Sequence, residues 1–257
     1  MASNASLASL PTRRQHLPLA QVLLLHAVPG VAIALAFVAL ARLTTSFGWP
    51  PSLALLLAWL FVGLPVLIGL LFRQGHRLHG TPSLDRLLLY RRPLAWQQYA
   101  WLVPTLLLWA ALASTLLFPF SESLRLTLFS AWPAWLDLSA LAQDPSRYSV
   151  SILWTVVGLS AVLNVAVPIT EELYFRSFLL PRLPVPSRWA PLLSTVLFSL
   201  YHFWSPWDIL GRILALLPVV YAVQSKRNVY VSILVHCLLN SIGTVGLAVI
   251  VVQAGRG

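Results

Sequence analysis

The stretch 150-VSILWTVVGLSAVLNVAVPITEELYFR-176 decides how this chain is built. Val150 to Ile169 is apolar enough, and long enough, to cross a ~30 Å hydrocarbon core as a helix. It runs straight into two adjacent carboxylates, Glu171 and Glu172, with Arg176 one turn further on. The protein has only 7 acidic residues in 257. Asp85, Glu122, Asp137, Asp144 and Asp208 fall where the pattern predicts loops or span ends. Glu171 and Glu172 alone sit in membrane-proximal helix, where an ionised group is costly and tends to be kept for function.

Composition says what surrounds that helix. The chain is 58% hydrophobic and 9% charged, with a mean hydropathy of +0.80, against about 25% charged residues in ordinary soluble domains. Apolar runs recur at about 17–41, 51–72, 99–120, 150–175, 189–204, 208–224 and 229–252. This predicts an all-α polytopic transmembrane bundle of about seven to eight spans: a polar tail over 1–16, then one membrane domain over 17–252. The fifth and sixth runs are short and should lie buried or tilted within the bundle. The segment 121–149 has room for an interfacial helix. Pro29, Pro65, Pro104, Pro168 and Pro218 fall in or beside spans, where proline is tolerated and marks kinks.

The net charge of +10 does not point to nucleic acid, which would require a basic stripe on a soluble face. Alternating the spans from a cytoplasmic amino terminus places 12 of the 17 basic residues on one side, the asymmetry expected of cytoplasmic loops. Arg212 falls near a span end. Cys237 is the sole cysteine, so an intrachain disulfide is excluded; in the last apolar run it reads as a small buried hydrophobe. The bias of one Lys against sixteen Arg suits a GC-rich bacterial genome, and so an inner-membrane protein.

The chemistry rests on three helical faces. Neighbours in a helix point about 100° apart, so Glu171 and Glu172 face different partners. Glu172 and Arg176 are four apart in the favourable order for an ion pair, which leaves Glu171 to face something else. Phe198 and His202 share a face at the end of the fifth run, and His236 and Asn240 share one within the seventh. His16, His26, His76 and His79 lie in the tail, the first span or basic loops and are read as background. Acid, imidazole, and imidazole with amide can together activate a water and stabilise an oxyanion. The bland alternatives are a solvated helix end for the glutamates and interhelical hydrogen bonding for the others. Glu171, His202 and His236 also match a catalytic zinc shell with an open position. The residues do not choose between zinc and a metal-free glutamate mechanism.

Glu171-Glu172-x-x-x-Arg176, Phe198-x-x-x-His202 and His236-x-x-x-Asn240, in this order, resemble the three motifs of the CPBP intramembrane proteases, the CAAX-processing and bacteriocin-processing (Abi) family. The resemblance covers about 150–245. It implies a bundle of about eight helices around a polar intramembrane cavity. The implied activity is endopeptidase cleavage of a membrane-associated protein or peptide, of CAAX or prenylated type in part of the family. Glu171 then stands as general base with Glu172 as its partner, Arg176 and Phe198 as motif support, and His202, His236 and Asn240 as water-positioning, oxyanion or metal-binding groups. Ser177 departs from the pattern, since relatives often carry glycine there. The competing reading is a non-proteolytic bacteriocin-immunity or membrane scaffold protein using the same polar cluster to bind a partner. A transporter ranks lower, because no inverted repeat or onward acid relay accompanies the cluster.

Overall fold

The computed structural model describes residues 16–254, so the expected polar tail lies, except for its last residue, outside the described residues. The principal elements are helices: α1 (Leu19–Ser46), α2 (Pro51–His79), α3 (Trp96–Thr127), α4 (Val150–Arg182), α5 (Ala190–Leu200), α6 (Ile209–Lys226) and α7 (Tyr230–Ala254). No β-strand occurs among the described residues, and one isolated bridge joins Arg91 to Asn228. The seven apolar runs thus become a helical bundle.

Six of the seven are long and apolar enough to cross a membrane. The sixth run, expected to be short, gains a leading turn at Pro206–Asp208 and reaches 21 residues. The fifth is the exception. Helix α5 has 11 residues, about 16 Å at 1.5 Å per residue and roughly half a hydrocarbon core. Segment 128–149 forms only short turns at Ala134–Leu136, Ala140–Gln143 and Pro145–Arg147 rather than a long interfacial helix.

Hydrogen bonds between connections show which helix ends lie together. The Leu17 amide donates to the Arg182 carbonyl, Leu89 to Ser177, Arg92 to Arg227 and Val229 to Tyr90. The start of α1, the α2–α3 connection, the end of α4 and the α6–α7 turn therefore share one end of the bundle, as the alternation of basic loops requires. Ser177 has a use of its own here. It is fully buried, and its hydroxyl donates to the Leu89 carbonyl while its own carbonyl accepts from the Leu89 amide. The departure from glycine ties a loop to the motif helix.

The end of α5 is held open by its neighbours. Carbonyls in the last turn of a helix lack intrahelical donors; here His202 Nδ1 takes the Phe198 carbonyl at 2.8 Å and Arg212 Nη1 takes that of Ser199 at 3.4 Å. Helix α1 passes directly beside this turn. A Cβ built on Gly30 would lie 2.3 Å from the Tyr201 carbonyl oxygen and 2.9 Å from its ring. Gly30→Ala is therefore expected to cost about 1–3 kcal/mol by overpacking against backbone. A denaturation midpoint in detergent equal to that of wild type would show that α1 does not press on this turn.

Candidate active site

Pro168 lies inside α4, where it removes a backbone donor. Beyond it the helix opens into a π-helical stretch over Glu172–Leu179, a widened turn often found at functional sites. Glu171 and Glu172 sit at this change of pitch, and both are buried. A second π-helical stretch, Trp59–Gly63 in α2, borders the same region through Trp59.

The two carboxylates face different partners, as their spacing predicts. Glu172 Oε1 accepts from His236 Nδ1 at 3.0 Å, and its Oε2 lies 3.4 Å from Arg176 Nε. That second contact is close but not aligned as a hydrogen bond, and Arg176 Nε and Nη1 are left without a hydrogen-bond acceptor. The guanidinium instead lies over the Phe198 ring, 4.1 Å from its centroid, a placement worth about 2 kcal/mol where water is excluded. Phe198 packs edge-on to His202 and His236, at 4.8 and 6.2 Å between ring centroids. It is the hinge on which the three motifs meet.

Glu171 turns the other way, into a cavity of about 460 Å³. Its Oε1 accepts from the Tyr201 hydroxyl at 2.6 Å. His202 Nε2 stands 4.0 Å from Oε1 and His236 Nε2 stands 3.9 Å from Oε2. The partners set the tautomers: a carbonyl at His202 Nδ1 and a carboxylate at His236 Nδ1 each require an N–H there, so both Nε2 atoms of the neutral rings present lone pairs toward Glu171. Asn240 lines the cavity beside His236, while its backbone carbonyl accepts from Asn164 Nδ2 at 3.2 Å. All seven residues singled out from the motifs are thus brought to one place.

Several neighbours escaped the sequence reading. Tyr201 is three residues from Phe198 and so beside it on the helix, a signal the sequence also held; α5 ends at Leu200, and the following turn brings its hydroxyl onto Glu171. Asn164 is two turns before Glu171 and so on its face, a signal the sequence did hold. Its Nδ2 also donates to Thr244 Oγ1 at 2.6 Å, clasping α4 to α7. Asp208 and Arg212 line the cavity from the start of α6. Of the background histidines, His76 and His79 are exposed, whereas His26 is buried with its ring 5.3 Å from that of Phe175, behind the motif. Cys237 is half-buried, with its sulfur 3.7 Å from the Val165 carbonyl oxygen.

The zinc alternative can be tested against these distances. Ligands about 2.1 Å from a tetrahedral zinc lie roughly 3.4 Å from one another. The imidazoles are wider than that from Glu171 and address different oxygens of it. Among the described residues no group of three His, Cys, Asp or Glu is placed to hold a metal ion.

Residues 152–242 match the family described as type II CAAX prenyl endopeptidase, Rce1-like. That segment is similar to the Rce1-like family. The match begins two residues into α4, ends within α7 and contains all three motifs. With its six apolar helices, the chain is an integral membrane protein. It is also 30% identical over 106 residues to the UPF0177 protein YxdF of Lactococcus lactis, an alignment covering 41% of this chain and 59% of that relative. The chain thus spans about 59% of the length of the curated relative it matches. No solved structure gives a significant match. The Rce1-like segment is the part of the chain that carries Glu171, His202 and His236, while Trp59 of α2 completes the cavity from outside it.

Proposed function

We propose that the protein is an intramembrane endopeptidase that hydrolyses a membrane-associated protein or peptide, with Glu171 as general base. One observation carries this reading: a buried carboxylate in the wall of a cavity, with an imidazole Nε2 near each of its oxygens. Separations of 3.9 and 4.0 Å are too long for direct hydrogen bonds. They are short enough for a single water, about 2.8 Å from each group, to bridge either pair.

Such a water attacks the scissile carbonyl as its proton passes to Glu171. The tetrahedral oxyanion is met by the Asn240 amide, while the Glu172 carboxylate holds the His236 Nδ1–H and so fixes the ring that positions the water. Glu171 then returns the proton to the departing amine, the C–N bond breaks, and a carboxylic acid and an amine leave. Prenylation of the substrate, a family association, and a cytoplasmic amino terminus, from the placement of the basic loops, belong to this proposal. Tyr201→Phe removes the donor that orients Glu171, and a hydrogen bond to a charged group is worth about 1.5–3 kcal/mol. The variant is expected to cut roughly 10- to 100-fold more slowly, measured as initial rates on one peptide.

The test of the function is cleavage of a quenched membrane-peptide library by purified wild type and Glu171→Gln, each with and without a strong chelator. Cleavage by wild type that survives chelation and is lost in the variant is the expected result. Loss on chelation would transfer the water-activating role to a metal. No cleavage by folded wild type would replace the enzyme with a partner-binding or immunity protein.

A further inference from the structure

A buried carboxylate that activates water needs a route by which water and a peptide chain can reach it. The two ends of the bundle differ in what they offer. Toward the end that carries the basic connections the way is shut. Beyond Glu171, α4 presents Tyr174, Phe175, Phe178 and Leu179, and the last turns of α6 present Val220 and Val223. All six are fully buried and none lines the cavity. Interiors packed to native density leave few voids larger than a water molecule. Ser177, in the same stretch of α4, is bonded through both its hydroxyl and its carbonyl to Leu89 of the α2–α3 connection, so the basic end is tied down directly over the motif.

In the other direction the cavity continues. Helices α2 and α4 run toward the basic end and α3 runs away from it. The walls come from Leu55 and Trp59 in the first turns of α2, Phe118 and Ser121 in the last turns of α3, and Asn164 and Val167 in the turns of α4 before Glu171. All six positions therefore lie on the far side of Glu171 from the basic connections. Phe118, Ser121 and Asp208 also line a second cavity, of about 480 Å³, bounded by Asp137 and Gln143 of the α3–α4 connection. Glu122, Asp137 and Asp208, three of the chain's seven acidic residues, stand around that second cavity with Arg125. Ionisable groups at membrane depth face the bundle interior or water-filled space, so this space is aqueous. It opens at the surface where Gln143 is exposed, and Phe118, at the join of the two cavities, is itself 64% exposed.

We infer that the catalytic cavity is entered from the end of the bundle opposite the basic connections, through the second cavity, and that the substrate is a polypeptide segment presented at that face. By the charge asymmetry of the connections that face is the non-cytoplasmic one. The choice of substrate rests on the peptidase reading above; the route does not.

The route is tested on the full chain in sealed membrane vesicles of one orientation and then of the other. Cys237→Ala removes the sole cysteine, and single cysteines are added back. Arg86→Cys and Ser146→Cys, at exposed positions of the α2–α3 and α3–α4 connections, report the two faces. Ser121→Cys, in the wall shared by both cavities, and Leu239→Cys, in the catalytic cavity beside Asn240, report the route. Ser114→Cys, on the same cavity wall, replaces Leu239→Cys if that variant does not fold. A charged, membrane-impermeant thiol reagent added outside should label the route cysteines in the orientation that labels Ser146→Cys, and not in the one that labels Arg86→Cys. Labelling together with Arg86→Cys, or from neither face, overturns the route. For the substrate, a single-span reporter carries a library peptide that the wild type cleaves, placed beside its span on one face or the other. Cleavage should be confined to the version on the Ser146 face. Equal cleavage of the version on the basic face would overturn the substrate class in favour of a lipid-anchored chain end at the cytoplasmic side. If the wild type cleaves no peptide while labelling follows Ser146→Cys, the peptidase reading falls and the route stands.

Discussion

Glu171→Gln should lower cleavage by two to four orders of magnitude, the usual contribution of a general base, in a protein that folds as wild type does. The substitution keeps the shape of the side chain and an oxygen to accept from the Tyr201 hydroxyl at the 2.6 Å contact. It removes the one feature the amide cannot supply, a basic oxygen for the proton of water. Thermal and denaturant midpoints in detergent should be unchanged or higher, because a buried carboxylate is costly to hold ionised. Substrate binding should survive, so the loss should fall on turnover rather than on the half-saturating concentration. A variant that retains full activity would leave the cavity without a base and return the motif to a structural role.

The second large effect is on folding. Arg176→Ala should destabilise the protein by about 3–5 kcal/mol, the cost of removing one partner of a buried ion pair. Both Arg176 and Glu172 are almost completely buried. Truncation would leave the Glu172 carboxylate without its cation and Phe198 without the guanidinium stacked at 4.1 Å. Arg176→Lys keeps a charge but not the planar fork and should fall between the two. The double variant Glu172→Gln/Arg176→Met, which deletes both charges, should recover much of the loss, and a double-mutant cycle measures the coupling. Denaturation in mild detergent reads all four proteins. A midpoint for Arg176→Ala within experimental scatter of wild type would mean that neither this pair nor the stacking on Phe198 contributes to holding the motif together.

The site was legible wherever chemistry repeats at helical spacing. Glu172 and Arg176, Phe198 and His202, and His236 and Asn240 are all four apart, and a four-residue step keeps two side chains on one face whatever the tertiary fold. What escaped is what depends on where a helix stops. Tyr201 reaches Glu171 because α5 ends one residue earlier, and that end is set by contacts from α1 and α6 that no local pattern records. Arg212 looked like a charge near a span end, which it is. Its place in the cavity wall follows from α6 folding back along α5.

The sequence by itself determined a membrane-embedded all-helical chain, the identity of its apolar runs and the three polar faces. Those properties come from hydropathy and periodicity, which act locally and leave their mark along the chain. The tertiary structure alone decided that α5 stops half-way through the bundle and that irregular backbone follows it beside a cavity. Within lipid such backbone is tolerated only where it is buried in protein or lines a water-filled space, so its position could emerge only once the surrounding helices were in place. The remaining partners of the two glutamates were decided there as well: the Glu172–Arg176 step was readable in advance, but that Glu172 also meets His236 and that Glu171 faces the cavity are facts of packing.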